Sequence, residues 1–307
     1  MPKLPELVEA LLEPKAYPEA PGKIELVQTQ MSFVFLTDDY VYKVKKPVNL
    51  GYLDYTTREK RQFYCQREVE LNRRLCPEVY LGVVPITQDR GAIFVAGRGK
   101  VTEHAVKMRR LPQQAMMDVL LANNQLTPEM ITSVAQKLVE FHQKAETNAN
   151  ISAFGEIDII TQNTEENFTQ TERYVGNTIS QKKYQHIKDY TDSFIEENTP
   201  LFGKRTKGGR IRDCHGDLHA AHICFSNGIC IYDCIEFNDR LRYCPQHPNG
   251  KAPYGRADLS HSFVNAYVAR SQDRELWKLL NFYKCYRAYV RGKVESFKLD
   301  DPHISDE

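Results

Sequence analysis

Two aspartates, Asp217 and Asp233, are the residues of this chain most suggestive of chemistry, because of what lies between them. Residues 213–236 read D-C-H-G-D-L-H-A-A-H-I-C-F-S-N-G-I-C-I-Y-D-C-I-E. Two apolar, β-prone runs, 223–225 and 229–232, flank Ser226-Asn227-Gly228. Asn-Gly in that setting predicts a tight hairpin. The polar loop His215-Gly216-Asp217-Leu218-His219 precedes the hairpin and Asp233 follows it. The order predicts two carboxylates near one end of a small sheet. Phosphoryl transfer needs such a pair: one carboxylate orients an acceptor hydroxyl and takes its proton, the other holds Mg²⁺ on the nucleotide phosphates. An isolated H-G-D would favour a solvated turn whose polar side chains satisfy backbone groups. Loop, hairpin and second aspartate in that order favour phosphotransfer.

The same stretch resembles the catalytic segment of the aminoglycoside phosphotransferase and choline kinase-like family, a branch of the protein-kinase-like fold. That family's pattern is H-G-D-x-H-x-x-N, a hairpin, then a metal-binding Asp. Within it the chain is most similar to a bacterial aminoglycoside phosphotransferase-like group, some members of which carry a P-loop kinase domain after this one. The resemblance implies an α+β, two-lobed fold, with a small antiparallel-sheet N-lobe over residues 1–110 and a mostly helical C-lobe over 111–307. It implies ATP-dependent transfer of the γ-phosphate to a hydroxyl of a small molecule. It further implies Asp217 as catalytic base, His215 as the support of its loop and Asp233 as a metal ligand. His222 stands where the family has Asn, the second Mg²⁺ ligand. An imidazole nitrogen suits Mn²⁺ better than Mg²⁺, so this departure bears on which metal is used.

Other elements must position these groups. Leu4, Leu7, Val8, Leu11 and Leu12 predict a short helix that Pro14 ends. Strands are expected over 24–29, 33–37, 40–44, 80–87, 92–95 and 105–108. Residues 29–32 sit where a kinase covers the phosphates, yet contain no glycine. Tyr40-Val41-Tyr42-Lys43 ends a strand in a lysine, as the phosphate-binding strand of kinases does. Lys45 shares its side-chain parity and is the alternative; both also fit an exposed, lysine-protected edge. Thr56-x-x-Glu59 reads as a capping box opening a helix whose Phe63, Leu71 and Leu75 would face the sheet. Within it, residues 67–75 resemble the family's R-E-x-x-x-L-x-x-L helix, which implies Glu68 as partner of the lysine, with Glu70 open as an alternative. Adenine would sit at a hinge over 109–112, beside Arg109.

Farther on, helices are expected over 113–122, from Thr127-Pro128-Glu129 onward, and over 165–175, 182–197, 256–268 and 276–293. His142 reads as a core histidine. The basic run 204–210 reads as a solvated connector. Residues 244–255, with three prolines and two glycines, stand where the family continues as a core helix and cannot form one. Glu236 and Asn238 follow Asp233 closely enough to reach an acceptor or a water.

Composition narrows the classes. The chain has 307 residues, 41% hydrophobic and 26% charged, with net charge +1. This is ordinary for a globular protein and gives no electrostatic case for nucleic acid or an anionic membrane as partner. No apolar run approaches a membrane span, and the start lacks the pattern of a signal peptide. Eight cysteines without C-x-x-C pairs favour reduced thiols and a cytoplasmic setting. No G-x-x-x-x-G-K-[ST] occurs, so the second kinase domain of some relatives is not expected. Two other classes stay open. One is a catalytically impaired, nucleotide-binding regulatory relative, motivated by His222 and 244–255. The other is a metal-dependent hydrolase using the His-rich loop.

Overall fold

The computed structural model describes residues 4–245 and 256–300. In chain order it begins with α1 (Glu6–Leu11), β1 (Glu25–Gln28), β2 (Ser32–Leu36), β3 (Tyr40–Lys45), α2 (Arg58–Asn72), β4 (Tyr80–Asp89), β5 (Ala92–Val95) and β6 (Lys100–Arg109). It continues with α3 (Met117–Ala122), α4 (Pro128–Lys144), α5 (Ala149–Ala153), α6 (Ile157–Thr171), α7 (Gln181–Lys207), β7 (Ile211–Asp213), β8 (Ile223–Cys224) and β9 (Cys230–Ile231). It ends with α8 (Asp239–Arg242), β10 (Tyr243–Pro245), α9 (Ala257–Ser271) and α10 (Leu276–Phe297). Two compact units result. One takes the chain up to Leu126 together with Ala220–Asp239; the other takes Thr127–His219 and everything from Arg240 onward.

The first unit is a six-stranded antiparallel sheet in the order β1-β2-β3-β6-β4-β5. Its alternating strands bury Phe35, Tyr42, Val44, Ile86 and Ala105 with Val8 and Leu11 of α1. Helix α2 packs Cys65 and Val69 with Tyr80 and Val106 of the sheet. The helix starts one residue later than the capping box predicted. Thr57, not Thr56, accepts the Lys60 N–H (3.3 Å), while the Thr56 hydroxyl donates to Asp54 (2.6 Å). Phe63, expected against the sheet, is 57% exposed; Leu71 and Leu75 are buried as expected.

The hairpin belongs to this unit as well. Asn227 and Gly228 both have positive φ, 51° and 108°, the backbone that favours Asn-Gly in two-residue turns. Cys224 bridges to Met116, and that bridge interrupts the helix expected over 113–122, leaving a 3₁₀ turn and then α3. Cys76, just past α2, and Cys230 of β9 meet in the same apolar cluster and are joined as a disulfide with Cα atoms 4.8 Å apart. Reduced thiols were expected here; two cysteines distant in sequence met because the hairpin packs under α2, which spacing alone does not reveal.

The second unit is mostly helical. Thr127 caps α4 by accepting the Met130 N–H at 3.3 Å, and His142 is buried with Nδ1 2.7 Å from the Tyr267 hydroxyl. Ile160, Ile195, Phe202, Leu279 and Phe282 tie α6, α7 and α10 together. The basic run 204–210 is largely not a solvated connector. Helix α7 continues to Lys207, and Arg205 is buried in a two-bonded ion pair with Asp273, both bonds 2.8 Å. A planar guanidinium matched to a carboxylate is the form in which a buried charge is tolerated. Of the proline-rich stretch, Cys244 and Pro245 end β10, whereas 246–255 lie outside the described residues, as does the charged tail from 301. Among the described residues no helix is long and apolar enough to cross a membrane.

Candidate functional site

In the first unit two neighbouring lysines of β3 converge on one carboxylate of α2. Alternation along a strand puts residues two apart on one face, so Lys43 and Lys45 point the same way. Lys43 Nζ lies 3.0 Å from Glu68 Oε1, and Lys45 Nζ lies 2.7 Å from Glu68 Oε2. The lysines then diverge. Lys43 also reaches Asp233 Oδ1 at 2.7 Å. Lys45 pairs with Glu236 and sits 3.5 Å from the Tyr55 hydroxyl, which itself donates to Glu236 at 2.6 Å.

Burial separates the two ends of this network. Lys45, Glu68 and Tyr55 are inaccessible, with Lys45 at 2%, whereas the Asp233 side chain is 40% exposed. Burial disfavours the charge of Lys43, but the Asp233, Glu68 and Glu236 carboxylates outweigh it and hold the ammonium pKa well above its usual range. Lys45 follows the same logic, with Glu236 and Glu68 opposing burial. Burial likewise acts to raise the Glu68 pKa, yet Lys43 and Lys45 together bring it below the usual carboxylate range. All three therefore carry full charge at neutral pH.

Asp233 is set by backbone as well as by charge. Its φ is 62°, a left-handed conformation that costs a non-glycine residue roughly 1 kcal/mol or more and that clusters at functional sites. Its N–H donates to the Tyr80 hydroxyl at 3.2 Å, and the next N–H, of Cys234, donates to Asn72 Oδ1 at 2.8 Å. Asn72 Nδ2 in turn donates to the Glu68 carbonyl. The helix that carries Glu68 thus also anchors the segment that carries Asp233. On the hairpin side, His222 Nε2 lies 3.5 Å from Asp233 Oδ2. A half-exposed carboxylate with a lysine on one oxygen and an imidazole near the other could accept a divalent cation. As a hard oxygen donor it suits Mg²⁺, which normally takes one or two protein carboxylates and completes its shell with phosphates and water.

The second unit holds the H-G-D loop. His215 is buried, and its Nδ1 lies 3.3 Å from the Asp217 backbone N–H that bonds it. Gly216, at φ 89°, supplies a turn conformation that a side chain would resist. Asp217 Oδ1 receives a bond from Arg287 Nη2 of α10 at 2.9 Å, and Asp217 Oδ2 lies 3.7 Å from His219 Nε2. Below the loop, Arg242 and Asp213 form a buried pair (2.8 Å) that ties α8 to β7.

The structure therefore brings Lys43, Lys45, Glu68, His222 and Asp233 together in one unit, and His215 and Asp217 in the other. Arg109 ends β6, where its N–H bonds the Val79 carbonyl at 2.9 Å and its side chain is exposed. Glu70 pairs with Arg67 on the outer face of α2 (2.9 Å) and does not reach the lysines. Glu236, expected near an acceptor or a water, is instead 7% exposed and committed to Lys45 and Tyr55. Sequence reasoning overlooked Tyr55, Asn72, Tyr80 and Arg287. For Asn72 a signal existed, since it lies one helical turn after Glu68; the other three carry no local one.

No family model matches the chain. Similar proteins include an uncharacterized protein of Mycobacterium tuberculosis strain H37Rv and one of Mycobacterium bovis, each 32% identical over 279 residues and 89% of this chain. The chain spans 54% of the length of these relatives. Solved structures with some likeness include a choline/ethanolamine kinase family protein of Mesorhizobium loti, at 13% identity and TM-score 0.45, covering 97% of this chain and 88% of that one. Another is an aminoglycoside phosphotransferase with ADP bound, at 16% identity and TM-score 0.34, covering 90% of this chain and 95% of the other.

Proposed function

We propose that the protein is an ATP-dependent phosphotransferase of the aminoglycoside phosphotransferase and choline kinase-like kind, moving the γ-phosphoryl group to a hydroxyl of a small molecule. One observation carries the reading: Lys43 is held between the Glu68 and Asp233 carboxylates, the relation a kinase needs between its phosphate-binding lysine, its helix glutamate and its metal aspartate. Lys43 rather than Lys45 is the phosphate ligand, because only Lys43 adjoins the half-exposed Asp233 while Lys45 is sealed off. Asp233 and His222 would hold Mg²⁺ or Mn²⁺, which neutralises developing phosphate charge when bound. Asp217 takes the acceptor proton as the acceptor oxygen bonds to the γ-phosphorus; the bond from that phosphorus to the β-phosphate oxygen breaks, and ADP leaves. His215 keeps the loop folded around Asp217. Acceptor-dependent ADP release from MgATP tests this reading, and ATP bound but never turned over on any hydroxyl compound would instead support a regulatory, nucleotide-binding role.

His222 permits a finer test. With an imidazole 3.5 Å from the metal-binding carboxylate, Mn²⁺ should support turnover better than Mg²⁺ relative to a variant with an amide oxygen there. His222→Asn is expected to shift the Mg²⁺-to-Mn²⁺ rate ratio toward Mg²⁺ by several-fold. An unchanged ratio would remove His222 from the metal's surroundings.

A further inference from the structure

Within the second unit the candidate base is met by a cationic helix. Helix α10 carries Lys278, Lys284, Arg287, Arg291 and Lys293 against a single acid, Glu295. Lys284, Arg287 and Arg291 follow at intervals of three and four, so they share one face, and the middle one touches Asp217. Arg287 spends one N–H on that carboxylate and makes no other hydrogen bond among the described residues. A guanidinium offers five N–H donors in a fixed fork, so donors remain beside the base. One turn away Arg291 is exposed and has no hydrogen bond or ion pair among the described residues. One turn the other way Lys284 makes only a 3.3 Å bond to the Ser260 hydroxyl. Lys293, on a different face, is occupied by Asn167 and Gln170.

Resting on the phosphotransfer reading, we infer that the acceptor is an anion: a small hydroxy compound carrying a carboxylate or phosphate close to the hydroxyl that reacts. The hydroxyl donates to Asp217, and the anionic group takes the remaining donors of Arg287, with Arg291 and Lys284 adding charge. Arg287 is already on Asp217, so the two groups of the acceptor stand only a few bonds apart, as in a 2- or 3-hydroxy acid. A cationic amino alcohol would meet three positive side chains on this face and is disfavoured. In the reaction the acceptor oxygen gains the phosphoryl group from ATP, its proton passes to Asp217 and ADP departs; the anionic group is unchanged.

The test uses the full chain with three probe sets: D-glycerate, gluconate and glycerol 3-phosphate; glycerol and glucose; ethanolamine, choline and kanamycin. Binding is measured by calorimetry without nucleotide, and ADP release with MgATP. At least one anionic probe should bind and be phosphorylated, with KM for that anion rising tenfold or more in Arg291→Glu and Lys284→Glu. Binding of the anion should fall similarly in Arg287→Leu. If no anion binds the wild type, or if cationic or neutral compounds are phosphorylated and anions are not, the inference is overturned. An anion that binds through Arg287 and Arg291 without any turnover would leave the anion site standing and count against phosphotransfer itself.

Discussion

Asp217→Asn should lower turnover by about 10²–10⁴-fold, the usual contribution of a positioned acid–base group, and leave nucleotide affinity within about twofold of wild type. The substitution keeps size and removes charge. The loop should persist, because its fold rests on Gly216 and on the His215 ring bonded to the Asp217 main chain, neither of which needs the carboxylate. Arg287 loses its partner, but it is not sealed from water: its side chain is 26% exposed, so hydration replaces the bond at small cost. The expected signature is therefore a loss confined to kcat, measured as ADP release at saturating MgATP and acceptor. Equal turnover in the variant would remove Asp217 from the mechanism.

The largest stability effect is expected at Lys45. Lys45→Met should lower unfolding free energy by about 3–5 kcal/mol, the cost of removing one partner from a buried ion pair. Glu68 would keep Lys43, but Glu236 would lose its bonded cation in a dry environment and retain the Tyr55 hydroxyl. A second substitution separates charge from packing. Lys45→Met combined with Glu236→Leu replaces the pair by apolar groups and should recover most of the loss, since such exchanges are often close to neutral. Urea unfolding of the two variants reads both numbers. A single variant as stable as wild type would show that the network contributes nothing to the fold, and the assignment of Lys45 as an anchor, not a phosphate ligand, would lose its basis.

Legibility from sequence followed the range of the forces involved. Alternating strands, the Thr127-Pro128 helix start and the Asn227-Gly228 turn are set by neighbours in the chain and were readable, as was the presence of one antiparallel-sheet part and one mostly helical part. Errors of one residue, as at Thr57, arose where two capping residues were adjacent and only one could fit. The disulfide, the burial of Arg205 and the diversion of Glu236 to Lys45 depend on partners 154, 68 and 191 residues away, for which no local pattern exists. The choice between Lys43 and Lys45 was undecidable from parity, because both do reach Glu68; what distinguishes them is which second carboxylate each meets. Arg287 lies in a helix that reads as ordinary core packing, and nothing before residue 287 announces that it touches Asp217.

If Lys43, supported by Glu68 and paired with the half-exposed Asp233, holds the nucleotide phosphates beside their metal, its removal must weaken nucleotide binding. Equilibrium binding of a fluorescent ATP analogue with Mg²⁺, compared between wild type and Lys43→Met, tests it most directly. A hydrogen bond to a charged group is worth about 1.5–3 kcal/mol, so affinity should fall about 10- to 100-fold, while Glu70→Gln, a change on the outer face of α2, should leave it nearly unaltered. Undiminished binding in a folded Lys43→Met variant would contradict the account.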